Sequence, residues 1–149
     1  MKNNSGFTLV EILIVVAVIA ILLGIMIPRF KGMQQEANIT KVKAELKTLQ
    51  TATESWFIHS SPQAYPATSA TPCVTYFNSA TPLIVSAPLY DPFAAPSTEY
   101  NYAVSPAGAY YVIWSVGPNG TTAITGISDT GTVTGAVSGD IFITNGTQL

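Results

Sequence analysis

The sequence predicts an α+β protein in which a long N-terminal helix supports a C-terminal antiparallel β-sheet. Three patterns along the 149 residues lead to this prediction. An apolar run comes first, a segment with apolar residues at steps of three and four follows, and the last third alternates between apolar and polar residues. The first two patterns are typical of helices and the third of half-buried strands. A sheet laid on the apolar stripe of the helix would bury both apolar faces.

The apolar run extends from Phe7 to Ile27 and contains one charged residue, Glu11. As a helix it would measure roughly 31 Å, which matches the hydrocarbon thickness of a bilayer. A cleaved secretory signal would be shorter and would end in small residues, whereas this run ends in Met26-Ile27-Pro28-Arg29. Because a carboxylate in an apolar segment costs on the order of a few kcal/mol, Glu11 is expected to have a functional partner.

The residues around Glu11 resemble the processing signature of type IV pilins and of the pseudopilins of type II secretion. The resemblance rests on fixed spacing within Gly6-Phe7-Thr8-Leu9-Val10-Glu11-Ile12-Leu13-Ile14-Val15-Val16. It implies that a prepilin peptidase removes the leader, residues 1–6, by cutting after Gly6, and that the new terminus at Phe7 is N-methylated. It also implies that Glu11 neutralises the amine of Phe7 on a neighbouring subunit during assembly, since either charge left unpaired in an apolar bundle is penalised.

The resemblance also implies a location and partners. Charge alone leaves the membrane orientation open, because Lys2 precedes the run and Arg29 with Lys31 follows it. The family places the leader in the cytoplasm and everything after Pro28 outside it, with an inner-membrane precursor and an extracytoplasmic filament. The implied partners are further copies of the chain, the peptidase and methyltransferase, an assembly ATPase with its platform protein, and minor pilins or pseudopilins.

Gly24 and Pro28 are predicted to interrupt the long helix, because glycine weakens a helix interior and proline removes a hydrogen bond. They separate a transmembrane and filament-core segment, residues 7–28, from an amphipathic stem, residues 29–60. In the resembled family the corresponding stretch loses helical order within the filament. The apolar stripe of the stem is expected to carry the C-terminal sheet, with an oligomerisation seam as the alternative, and its two halves could serve both purposes.

Prolines recur from Pro62 to Pro96, so residues 61–98 are predicted to form an irregular connection with short elements at Val74–Phe77 and Leu83–Val85. Residues 99–149 are predicted to form the sheet region. The predicted strands are Tyr100–Val104, Tyr110–Val116, Thr121–Ile127, Thr132–Val137 and Asp140–Thr144.

A second, looser resemblance concerns this C-terminal region. Four motifs are similar in order to those of the major pseudopilin of type II secretion: Asp91-Pro92-Phe93, Tyr100-Asn101-Tyr102, Tyr110-Tyr111-Val112-Ile113-Trp114 with the following residues to Gly120, and Asp140-Ile141. That family binds calcium in its final loop, which makes Asn119, Asp129 and Asp140 the candidate ligands here. The alternative is that Asn119-Gly120 is a turn and that Asp140 accepts hydrogen bonds within a loop.

Charge and cysteine content argue against several functions. Beyond Glu54 the charged residues are all acidic, which argues against direct nucleic-acid binding by this region. Cys73 is the single cysteine, so the internal disulfide of many type IV pilins cannot form. The one histidine, His59, and Cys73 have no neighbouring base or nucleophile, so no enzymatic activity is expected, and no cofactor apart from calcium.

The sequence therefore favours a filament subunit with the pilin fold. Within that class, the absent disulfide and the second resemblance favour the major pseudopilin of a type II secretion system. The first alternative is the major pilin of a true type IV pilus, which would serve adhesion, twitching motility or DNA uptake. An alternative from a different class is a single-pass anchored binding module that never polymerises.

Overall fold

The computed structural model describes residues 7–67, 77, 83, 85–135 and 138–147. The leader with Gly6, Cys73, most of the two short elements predicted in the connection and the end of the fourth predicted strand lie outside these residues. The chain divides into two compact units, Met1–Ala37 and Asn38–Leu149, and we call the second unit the head. The elements are helix α1, Leu9–His59, and strands β1, Asn101–Val104, β2, Tyr111–Ser115, β3, Ile124–Ile127, β4, Val133–Gly135, and β5, Ile141–Thr144.

Helix α1 ends at His59, as the sequence Ser60-Ser61-Pro62 predicts. The backbone N–H of Ser60 donates to the carbonyl of Trp56 over 2.9 Å, which completes the last turn. The hydroxyl of Ser60 accepts a hydrogen bond from the backbone N–H of Ala64 over 3.0 Å and thereby turns the chain away from the helix axis.

The sheet that covers α1 in the head has three antiparallel strands in the order β1-β2-β5. Tyr102 pairs with Ile113 in β2, and Ile113 pairs with Ile143 in β5. Strands β3 and β4 form a separate two-stranded antiparallel sheet. The α+β arrangement is therefore confirmed, but the expectation of one sheet with all strands is wrong, because the β3–β4 hairpin lies against β1 and β2 rather than beside them.

Two hydrophobic cores result from this layering. Strand β2 is buried along its whole length, and its alternate residues face opposite sides. Tyr111 and Ile113 face the helix, where they pack with a stripe at helical spacing formed by Val42, Leu46, Leu49 and Ala52. On the other side, Ala103, Val112 and Trp114 pack with hairpin residues Ile124, Ile127 and Val133. The stripe on the upper part of the stem therefore carries the head, as predicted.

Asp91 connects the end of the proline-rich connection to the sheet. Its side chain is buried, with 4% of its surface exposed. One carboxylate oxygen accepts hydrogen bonds from the backbone N–H of Phe93 and the hydroxyl of Ser115, over 2.9 and 2.8 Å. The other accepts the backbone N–H of Val116 over 3.0 Å. These bonds compensate the buried charge and hold the loop against the end of β2.

Candidate functional site

The start of α1 is organised by Thr8 and Glu11. The backbone N–H and the hydroxyl of Thr8 both donate to Oε2 of Glu11, each over 2.8 Å. The backbone N–H of Glu11 donates to the Thr8 hydroxyl oxygen over 3.2 Å. This reciprocal arrangement is a capping box, which satisfies N–H groups that the first turn of a helix leaves unpaired. A threonine followed three residues later by a glutamate is the sequence signal for a capping box, and it was not among the predictions above.

The capping box fixes the Glu11 carboxylate at the helix start through only one of its oxygens. Within the described residues, Oε1 of Glu11 takes part in no hydrogen bond or ion pair. Cleavage after Gly6 would place a cationic amine on Phe7, one residue before the cap. The arrangement therefore offers a carboxylate oxygen for an amine while the helix start remains capped. The capping box brings Thr8 and Glu11 together. Gly6, the predicted cleavage position, lies outside the described residues.

The helix that follows presents apolar side chains on all sides. Phe7 is 84% exposed, and the large apolar residues from Leu9 to Met33 are exposed by about half or more. By length and composition α1 can cross a membrane, and none of its most apolar stretch is buried. An exposed apolar surface of this extent requires a cover of lipid or protein. The lower stem residues Phe30 and Met33 belong to this surface, unlike the stripe that carries the head.

Gly24 and Pro28 both lie inside α1, which is continuous through them. Pro28 has no N–H to donate, so one carbonyl a turn earlier loses its helical partner. A side chain at Gly24 would meet no neighbour, so packing within the subunit does not explain the glycine. The predicted interruption thus does not end the helix in the isolated subunit, and loss of helical order inside a filament stays a prediction.

Two tyrosine–glutamate contacts fasten the sheet of the head to α1. The hydroxyl of Tyr100 donates to Oε2 of Glu45 over 2.5 Å, and the hydroxyl of Tyr111 donates to Oε1 of Glu54 over 2.8 Å. Both tyrosine side chains are fully buried. Burial raises the pKa of Tyr100 and of Tyr111 well above the usual range, and the hydrogen bonds to the glutamates raise it further.

These tyrosines predict that the head loses stability in strong alkali. In the unfolded chain a tyrosine ionises near pH 10, whereas the folded head keeps both protons to higher pH. The unfolded state therefore releases protons first, and the free energy of unfolding falls by up to about 1.4 kcal/mol per pH unit and per tyrosine above pH 10. Urea unfolding curves at neutral and alkaline pH measure this slope. Tyr100→Phe should reduce the slope, and a slope equal to that of the wild type would contradict the assignment.

Each of the three predicted calcium ligands makes a hydrogen bond within the head. Asp129 Oδ1 accepts the backbone N–H of Ala107 over 2.7 Å, in the turn between β1 and β2. Asp140 Oδ2 accepts the backbone N–H groups of Ala123 and Ile124, each over 2.8 Å. Asn119 donates to the carbonyl of Ser138 over 3.2 Å, which places it beside the loop that carries Asp140.

Within the described residues, no group of three or more histidine, cysteine, aspartate or glutamate side chains could hold a metal ion. The second oxygen of Asp140 is buried without a hydrogen-bond partner, and it is one ligand atom where calcium takes six to eight. Calcium binding by Asn119, Asp129 and Asp140 therefore stays a prediction.

The fold and the site define a class of protein: a subunit with an exposed apolar N-terminal helix, a capped carboxylate at its start and a small α+β head. Residues 1–27 match the prokaryotic N-terminal methylation motif. By this motif the chain is similar to the type IV pilins and to the pseudopilins of type II secretion.

Individual relatives divide into two groups. The chain is 44% identical over 55 residues to a fimbrial protein of Pseudomonas aeruginosa and 48% identical over 55 residues to the type IV major pilin protein PilA of Myxococcus xanthus. Each match covers 37% of this chain, and it spans 36% and 25% of the respective relative. The type II secretion system core protein G of Klebsiella pneumoniae is 28% identical over 124 residues, which cover 80% of this chain and 81% of that protein. No solved structure matches this chain significantly.

Proposed function

We propose that this chain is a structural subunit of a pilus-like filament and that the filament is the pseudopilus of a type II secretion system. The observation that carries the proposal is the exposed apolar part of α1 with the capped Glu11 at its start. An isolated soluble protein would not tolerate such a surface, whereas lipid covers it before assembly and neighbouring helices cover it afterwards.

The extent of the matches supports the pseudopilus over a surface pilus. The match to the core protein G reaches far into the head, whereas the two pilin matches cover little more than a third of the chain. Since the apolar helix is common to the whole class, similarity in the head is the better guide to the particular machine.

Assembly would proceed in steps that the residues support. A prepilin peptidase removes residues 1–6, and its methyltransferase activity modifies the amine of Phe7. The subunit waits in the inner membrane with its head outside the cytoplasm. A cytoplasmic ATPase, acting through a platform protein, then extracts it into the growing fibre, which minor pseudopilins accompany. The apolar area moves from lipid to neighbouring helices, so little hydrophobic stabilisation is lost in the transfer.

One observation favours a second candidate, the major pilin of a surface type IV pilus. Identity to the two pilins is higher, at 44% and 48%, although it is confined to a short segment. Electron microscopy of native cells and a secretion assay after gene deletion separate the two. Loss of secretion without loss of surface fibres supports the pseudopilus, and the reverse result supports the pilus.

Mass spectrometry of the mature chain tests the proposal directly. The expected N-terminal peptide starts at Phe7 and carries one methyl group on its amine. Gly6→Val should retain the leader, because a side chain at this position obstructs the peptidase, whereas Ser5→Ala one residue earlier should leave processing intact. Persistence of residues 1–6 in the mature chain would contradict the proposal and favour an anchored module that never polymerises.

The proposal assigns no catalytic role to the chain. His59 is the one histidine, and its Nδ1 lies 2.7 Å from the carbonyl oxygen of Ser55 within the last turn of α1. That contact occupies the ring nitrogen in a local helix-terminal interaction. The acidic head likewise supports no direct role in nucleic-acid binding.

A further inference from the structure

Charges in this chain are segregated between the helix and the rest of the head. All lysine and arginine residues precede Glu54, and the four charged residues that follow Glu54 are acidic. The acidic residues of α1 in the head are occupied internally. Glu45 accepts from Tyr100 and lies 3.8 Å from the ammonium of Lys41, and Glu54 accepts from Tyr111. The segregation therefore leaves opposite charges that a single copy does not pair.

A groove runs between α1 and the edge strand β5. It is lined by Lys43, Leu46 and Lys47 of the helix and by Ile141, Phe142 and Ile143 of the strand. Among the described strands, β5 pairs with β2 alone and forms the edge of the three-stranded sheet. Lys43 is exposed, and no contact within the described residues engages its ammonium group. The groove thus combines an apolar floor with a positively charged rim.

Asp129 is the exposed acid of the head. Asp91 is buried, and Glu99 and Asp140 are half-buried. Asp129 lies in the turn between β3 and β4, where the backbone N–H of Gly131 donates to the carbonyl of Ser128 over 3.0 Å. One of its carboxylate oxygens accepts the backbone N–H of Ala107, which holds the side chain in place. A fixed, exposed carboxylate on a tight turn is well suited to enter a groove on another molecule.

The groove and the Asp129 turn lie at opposite ends of the head. Tyr100, just before β1, contacts Glu45, so Lys43 belongs to that end of the sheet. Tyr111 contacts Glu54 at the other end, where the β1–β2 turn receives Asp129 through Ala107. The helix rises roughly 16 Å between Lys43 and Glu54. Lys43 therefore cannot reach Asp129 of its own copy.

We infer that the groove between α1 and β5 receives the Asp129 turn of a second copy of this chain. The contact joins two different surfaces, so it can repeat from copy to copy along a fibre, unlike the contact of a two-fold symmetric dimer. Lys43 would pair with the carboxylate, Lys47 would border the contact with its ammonium donating to Gln50, and the half-buried apolar residues of β5 would be covered. This inference rests on the proposed function, since it names the surfaces through which the heads of a filament meet.

Cysteine crosslinking in assembled filaments tests the contact. The full chain with Lys43→Cys, Asp129→Cys and Cys73→Ser should form a ladder of crosslinked multimers under mild oxidation. A mixture of the two single variants in the same background should stop at dimers, because each copy then contributes one surface. Lys41→Cys with Asp129→Cys is the matched control, since Lys41 does not line the groove, and it should give no ladder.

Charge reversal supplies a second measurement. Lys43→Glu should reduce filament yield about fivefold, because it places like charges at the contact. Adding Asp129→Lys to the same chain should restore the yield, whereas Asp129→Lys with Lys41→Glu should not. Filaments that form normally from Lys43→Glu and give no crosslinked ladder would overturn the inference while leaving the proposed function intact. A wild-type chain that forms no filament would instead overturn the proposed function.

Discussion

Glu11→Gln is expected to abolish filament assembly while the precursor still inserts into the membrane and is processed. Glutamine can replace glutamate in a capping box, so the contacts with Thr8 and the helix start should persist. What disappears is the negative charge. The amine of Phe7 on the neighbouring subunit would then be buried without a counterion, at a cost of about 3–5 kcal/mol for each contact. Glu11→Ala should give the same result.

Thr8→Ala is the matched control, because it removes the hydroxyl of the cap and retains the carboxylate. Loss of an N-cap costs about 1 kcal/mol, so its filament yield should remain well above that of Glu11→Gln. Sheared filaments measured by immunoblot, beside the membrane fraction of the same cells, separate the two effects. Normal assembly of Glu11→Gln would refute the charge-pairing role.

Leu49→Ala is expected to have the largest effect on the stability of the head. Leu49 is completely buried in the core between α1 and the three-stranded sheet. Truncation of a buried leucine leaves a cavity and lowers the free energy of unfolding by about 2–5 kcal/mol. Urea unfolding of the full chain in detergent micelles, followed by the fluorescence of the two tryptophans, measures the change.

Thr48→Ala is the control for this substitution, because Thr48 is exposed on the same turn and its hydroxyl donates only to the carbonyl of Ala44. Its free energy of unfolding should stay within about 0.5 kcal/mol of the wild-type value. Similar stabilities for Leu49→Ala and Thr48→Ala would show that the sheet does not cover this face of α1.

Local patterns were sufficient to predict the helix and most strands. The apolar run, the stripe from Val42 to Ala52 and the stop at Ser60 are signals that neighbouring residues carry, and the structure confirms the positions of the helix end and the buried stripe. The site at the helix start is equally local, because Thr8 and Glu11 lie within one turn. Even the capping box that we missed was present as a short motif.

The separation of the strands into two layers was not predictable in this way. Five alternating segments can pair in several orders, and alternation shows only that each strand has one buried face. The hairpin of β3 and β4 covers β1 and β2, while β5 skips it to pair with β2. Because the hairpin packs on β1 and β2, Val112 and Trp114 are buried on the face of β2 that points away from the helix. The partners of Asp129 and Asp140 were likewise not predictable, because each carboxylate accepts backbone N–H groups from a turn or strand distant in sequence.

Contiguous residues were enough to specify a membrane-compatible helix with a carboxylate near its start, since length and hydropathy are properties of a single segment. The pairing of the strands, the face of β2 that the hairpin covers and the positions of the charged residues in the head are known only from the three-dimensional structure. The physical reason is that strand pairing and charge placement depend on contacts between distant residues, whose energies no local pattern contains.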